Sequence, residues 1–206
     1  MLISIRNSLS LVFLALCVVQ CSTRKEVVPV IPTEELRAGD VAFRLGRTLQ
    51  SDAIASVVEG ESRYSHVGVV VGRGDSLRVV HIEPERDGEE RVKMERVEAF
   101  FHPAVAEAGC VARYGDLTEQ QRQTIEREAL RLHAKGVEFD HDYSLRDTSQ
   151  MYCTELVDYV FRGADVVLSS QRRRVPLVKE EVLFPTDMLN SLQQVWHYDL
   201  RPARHN

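Results

Sequence analysis

The 206-residue chain is poor in the features that mark several large functional classes. Apart from residues 9–19 it has no long apolar run, and that run is shorter than the roughly 20 residues a membrane-spanning helix needs. Its 26 basic against 31 acidic residues leave a formal charge of -5, which gives no reason to expect a nucleic-acid partner. The one strongly basic run, Arg172-Arg173-Arg174, reads as a solvated loop. There is no HExxH pair of the kind zinc hydrolases use, no internal repeat and no low-complexity tract. Cysteine is scarce, at four residues. What remains is a chain of ordinary composition that suits one domain and can bury a substantial core.

The N-terminus reads as a targeting segment. Arg6, the apolar run 9–19 and then Gln20-Cys21-Ser22 have the form of an export signal over residues 1–20. A cysteine directly after such a run resembles the cleavage site of a bacterial lipoprotein, with Cys21 as the lipidated first residue, although Gln20 stands where a small residue is usual. Ser22, which is not aspartate, leans towards the outer membrane. On this reading residues 21–35 are a lipidated N-terminus and linker, and residues 36–206 are a domain facing the periplasm. Cys17 is lost with the signal, and Cys21 is capped, which leaves two thiols in an oxidising compartment. One reading pairs them as a disulfide. The preferred one keeps Cys110, in the apolar stretch 109–114, as a small core hydrophobe and leaves Cys153 for chemistry.

Two stretches carry that chemistry. Tyr64-Ser65-His66-Val67-Gly68 puts an imidazole at the mouth of an apolar strand, and Tyr152-Cys153-Thr154-Glu155-Leu156 puts a thiol at the start of an amphipathic helix. The unpaired N–H groups and positive dipole end of a helix start lower a thiol's pKa, and a strand holds a histidine rigidly as its base. Val79-Val80-His81-Ile82-Glu83 is a second strand, with His81 and Glu83 on one face by the two-residue period. The turn-rich Gly72-Arg73-Gly74-Asp75-Ser76 joins the two as a hairpin, which returns Glu83 to the side of His66. Directly opposed residues in an antiparallel hairpin have numbers of constant sum, and Glu83 shares the face of His66 only if that sum is odd. An odd sum is expected, such as 147 or 149, with a Glu83 oxygen roughly 2.6–3.2 Å from one His66 nitrogen.

In this order Gly39-Asp40-Val41-Ala42-Phe43, the His66 and Glu83 stretches, the Cys153 stretch and Phe184-Pro185-Thr186-Asp187 resemble the YaeF/YiiX family. These are circularly permuted papain-fold amidases, related to NlpC-type peptidases and lecithin–retinol acyltransferase-like enzymes. The resemblance runs from about Leu36 to Val195. It implies Cys153 as nucleophile, His66 as base and Glu83 as the third, polar residue. Pro84 and Thr154 depart from the small residue and the serine usual beside the glutamate and the cysteine. The implied function is an envelope thiol hydrolase working through a thioester on a peptide or lipid-acyl substrate, without a cofactor. Thiol acyl transfer to another acceptor is the alternative. Oxyanion donors would be the Cys153 N–H and the hydroxyl of Tyr64 or Tyr152.

The element order is mixed α+β, with helices packed on a mainly antiparallel sheet. Strands are expected at 40–45, 66–71, 79–83, 91–100 and 110–114. Helices are expected at 49–58, 118–135 and 152–162, the second with a Thr118–Gln121 capping box and a Gly136 stop. Two rival classes stay open. One is a metal hydrolase holding its ion on His66, His81 and Glu83, with Asp140, His141 and Asp142 as further ligands. The other is a non-catalytic lipoprotein that binds a ligand in the same groove.

Overall fold

The computed structural model describes residues 28–48, 64–85, 88–144, 148–175 and 178–201. The expected helix at 49–58, the signal segment and Cys21 lie outside the described residues. A six-stranded antiparallel sheet forms the centre. Its strands are β1 (Val41–Gly46), β2 (His66–Val71), β3 (Arg78–His81), β4 (Lys93–Arg96), β5 (Ala106–Arg113) and β10 (Gln193–Asp199), in the order β10-β5-β1-β2-β3-β4. Between them come α1 (Val97–Phe100), α2 (Glu119–Lys135), the two-residue strands β6 (Glu138–Phe139) and β7 (Gln150–Met151), and α3 (Cys153–Arg162). The short pair β8 (Arg173–Arg174) and β9 (Glu181–Val182) and the single turn α4 (Pro185–Leu189) precede β10. Residues 91–100, expected as one strand, therefore split into β4 and α1. Val97 and Phe100 are fully buried, a three-residue spacing that suits one helical turn against the sheet better than an extended run.

Both faces of the sheet are covered. Val67, Val69, Val71, Val80 and Ile82 join a core with Ile125, Leu132, Leu156 and Phe161 from α2 and α3. Ala42, Val70, Val79 and Val111 face Phe100 and Phe101 on the other side. The central strands are consequently apolar at nearly every position, and the few polar residues within them stand out. The α2 ends are those the sequence dictates. Thr118 and Gln121 exchange side-chain hydrogen bonds with each other's N–H, and Gly136 closes the helix in the left-handed conformation at φ 66°.

The hairpin has the odd register. Gly68 lies opposite His81 and Val69 opposite Val80, a sum of 149, so β2 and β3 place His66, His81 and Glu83 on one face. Glycine is required at 68 by close approach: a Cβ there would stand 2.6 Å from Val79 Cγ1 and 2.9 Å from His81 Cβ. On the next strand over, Arg44 pairs directly with His66. The segment leading into the domain is already docked by Val30, whose carbonyl accepts from Trp196 Nε1 at 3.0 Å.

Candidate active site

A cleft of about 850 Å³ opens where β2 begins and α3 starts, lined among others by Cys153, His66, Glu83, Tyr143, Tyr152 and Arg47. Cys153 is the first residue of α3, with Tyr152 as its extended N-cap. Leu156, Val157, Val160 and Phe161 anchor that helix in the core, and Thr154 Oγ1 donates to the Leu183 carbonyl at 2.7 Å. The thiol is thereby fixed by packing on its own helix and by one buried hydrogen bond beside it.

The imidazoles form a chain. His66 Nε2 and His81 Nδ1 are 2.9 Å apart, and His81 Nε2 lies 3.0 Å from Glu95 Oε1. The carboxylate sits off the axis of that ring N–H, because the contact has the distance but not the alignment of a hydrogen bond. A carboxylate only accepts, so it favours the proton of His81 on Nε2. In that tautomer Nδ1 of His81 accepts from His66 Nε2–H, which leaves His66 Nδ1 as the basic nitrogen. Phe100 backs both rings, with centroids 5.7 Å from His66 and 5.2 Å from His81.

Glu83 does not make the expected hydrogen bond to His66. Its Oε2 is 4.0 Å from His66 Nε2, while Arg44 Nη2 holds the same oxygen at 2.5 Å and Lys93 Nζ approaches Oε1 at 3.5 Å. The physical reason is competition. Arg44 is buried, stacked over Phe100 at 4.5 Å and able to bond only to acceptors, so it draws the carboxylate to itself. His81 fills the vacated partner position. Glu95 and Arg44 were not singled out in the sequence. A charge at Arg44 inside an otherwise buried strand was the available signal, whereas Glu95 sits in a strand of exposed and half-buried residues with none.

The electrostatics also depart from expectation. Burial pushes the Cys153 thiol up to about 11, outweighing the N–H groups of Val67, Thr154 and Cys153 that favour its anion. Burial, followed by the Arg44 charge, holds His66 well below 6.5, and burial lowers His81 as well. Burial works against the Glu83 carboxylate, but the facing imidazoles and Arg44 more than offset it and keep it well below the usual carboxylate range. The resting pair is therefore neutral thiol and neutral imidazole, not the thiolate that a helix start alone would predict.

Tyr152 lines the cleft, with its ring in the core and its hydroxyl buried. Tyr64 does not line it; its hydroxyl lies against the Cys110 thiol, so it is not placed to serve as an oxyanion donor. Cys110 and Cys153 are both free thiols, and Cys110 is a fully buried strand residue, as expected. Asp140 is buried, accepting from the N–H groups of Asp142 and Ser144, and His141 is paired with Glu90 at 2.6 Å. Those loop residues are committed away from His66. The donor atoms of His66, His81 and Glu83 all lie within 4.8 Å of one another, so this trio alone fits a metal ligand set among the described residues.

Residues 35–188 match the model of the family of permuted papain-like amidase enzymes, YaeF/YiiX, peptidase family C92. The chain belongs to this family. The resemblance read from the His66 and Cys153 stretches is borne out, together with the α+β permuted papain-like fold and the assignment as a cysteine amidase- or peptidase-type enzyme. A solved structure similar in fold is that of metalloprotein yiiX from Escherichia coli O157:H7. The two are 23% identical with a TM-score of 0.64, over 79% of this chain and 97% of that one. No curated protein matches the chain in sequence.

Proposed function

We propose that this YaeF/YiiX-family enzyme is an envelope thiol hydrolase that cleaves an amide or acyl bond through a thioester on Cys153. The observation that carries the reading is the pairing, in one cleft, of a helix-start thiol with an imidazole whose Nε2 is tied to His81 at 2.9 Å. His66 Nδ1 takes the thiol proton as sulfur attacks the carbonyl, because neither group is ionised beforehand. The Cys153 N–H, at the start of α3, is the donor for the oxyanion. The imidazolium then protonates the leaving nitrogen or oxygen. Water, deprotonated by His66, cleaves the thioester and restores the thiol. His81 orients the base by hydrogen bond, and Glu83 adds negative potential from 4.0 Å.

Incubation with envelope extracts followed by acid quench and intact-mass analysis tests this. The expected result is an acyl adduct on Cys153, its mass naming the group transferred. Iodoacetamide should block the adduct by labelling Cys153 while sparing Cys110, which has no exposed surface. Equal labelling of both thiols, or turnover that survives alkylation, would remove Cys153 from the reaction. A second reading is a metal hydrolase on His66, His81 and Glu83. It is favoured by their convergence and by the description of the E. coli relative as a metalloprotein. Loss of turnover on chelation would select it.

The proposed address is the periplasmic side of a membrane, the outer one slightly favoured, through lipid on Cys21. Cys21→Ala should release the protein from membranes with its melting temperature unchanged, as fractionation and thermal denaturation would report. Unaltered membrane association would count against the lipid anchor.

A further inference from the structure

We propose that His66, His81 and Glu83 form an exchangeable zinc site whose occupation switches the hydrolase off. The inference rests on the thiol–imidazole reading above, and the ligand is Zn²⁺ in competition with catalysis, not in its service. The donor set is two imidazoles and one carboxylate, three protein ligands that leave a fourth tetrahedral position for the cleft. Two nitrogens bound to one zinc at about 2.0–2.1 Å stand roughly 3.3 Å apart in tetrahedral geometry. His66 Nε2 and His81 Nδ1 are at 2.9 Å, held there by one shared proton. Insertion of the ion between the two nitrogens, with the His66 proton shifted to Nδ1, needs only a small opening of the pair.

The surroundings add a second, independent sign. Glu95 lies 3.0 Å from the other nitrogen of His81, the placement of the outer carboxylate that orients metal-binding histidines and raises their basicity. His81 thus already carries its proton on Nε2 and offers Nδ1, the tautomer a ligand needs. Arg44 and Lys93 at the Glu83 carboxylate repel a dication, which makes the site reversible instead of permanently filled.

The off-switch follows from proton placement. Hydrolysis requires His66 protonated on Nε2 with Nδ1 bare. Ligation by Nε2 uses its lone pair, so the ring proton must move to Nδ1, the nitrogen that would accept from the thiol. Proton count is unchanged, but the base is gone. One imidazole cannot serve both states, so zinc and turnover exclude each other.

The test uses the full chain stripped by chelator, with Zn²⁺ alone in calorimetry and Co²⁺ as an optical probe. The expected result is one site per chain and four-coordinate cobalt absorption. Turnover should fall at least tenfold at one equivalent of Zn²⁺ and return on chelation. Glu95→Gln, at a half-exposed position, should weaken Zn²⁺ affinity roughly 10- to 100-fold, and His81→Ala should abolish the cobalt bands. No binding in the native protein, or undiminished binding in both variants, overturns the zinc site while leaving the thiol mechanism intact. Turnover lost on chelation and restored by Zn²⁺ overturns both.

Discussion

Cys153→Ser lowers turnover of the native substrate by at least about a thousandfold while the melting temperature stays within a few degrees. The magnitude follows from removal of the proposed nucleophile from a thiol–imidazole unit, whose members act together and whose loss leaves only binding and oxyanion stabilisation. The fold is expected to tolerate the change because the α3 anchors are Leu156, Val157, Val160 and Phe161, and serine differs from cysteine at one atom. Product release by mass spectrometry measures the first quantity and thermal denaturation the second. Activity within tenfold of the parent would take the nucleophilic role away from Cys153. In the parent, the acid limb of kcat/KM should lie below pH 6.5, since burial keeps His66 neutral there.

His81→Ala should cost more than Glu83→Gln. In the proposed mechanism His81 Nδ1, 2.9 Å from His66 Nε2, fixes the tautomer of the base, and an unoriented base loses on the order of 10²–10⁴ in kcat. Glu83 contacts Arg44 and Lys93 and stands 4.0 Å from the ring, so neutralising it should cost about tenfold or less, chiefly through lost field. His81→Asn should recover part of the loss, because an amide oxygen can accept from His66 Nε2–H. A merely structural role for His81 would not be rescued in this way. If Glu83→Gln proves the more damaging change, Glu83, and not His81, orients the base.

The legible parts of the site are those written in short sequence distances. The hairpin register followed from two apolar strands around a Gly-rich turn, and it returned 149. The start of α3 followed from Cys153 ahead of a clear amphipathic run, and α2 was marked at both ends by Thr118 and Gly136. What sequence withheld depends on partners brought in from other strands. Glu83 lies on the correct face, but Arg44, from β1, captures it. The helix-start argument for a lowered thiol pKa was sound locally and lost to burial, a quantity that only the packed domain determines. Glu95 behind His81 belongs to a strand whose pairing with β3 no local pattern announced.

The strap from Val30 to Trp196 has a geometric corollary for the proposed lipid anchor. With lipid on Cys21, the leash between the anchor and the first docked residue spans at most about 30 Å even when stretched straight. Free diffusion of the catalytic cleft is then confined to a shallow shell over the membrane surface. Under that anchor, scissile bonds within the shell would meet the enzyme at high local concentration, and those farther from the membrane would be beyond its range.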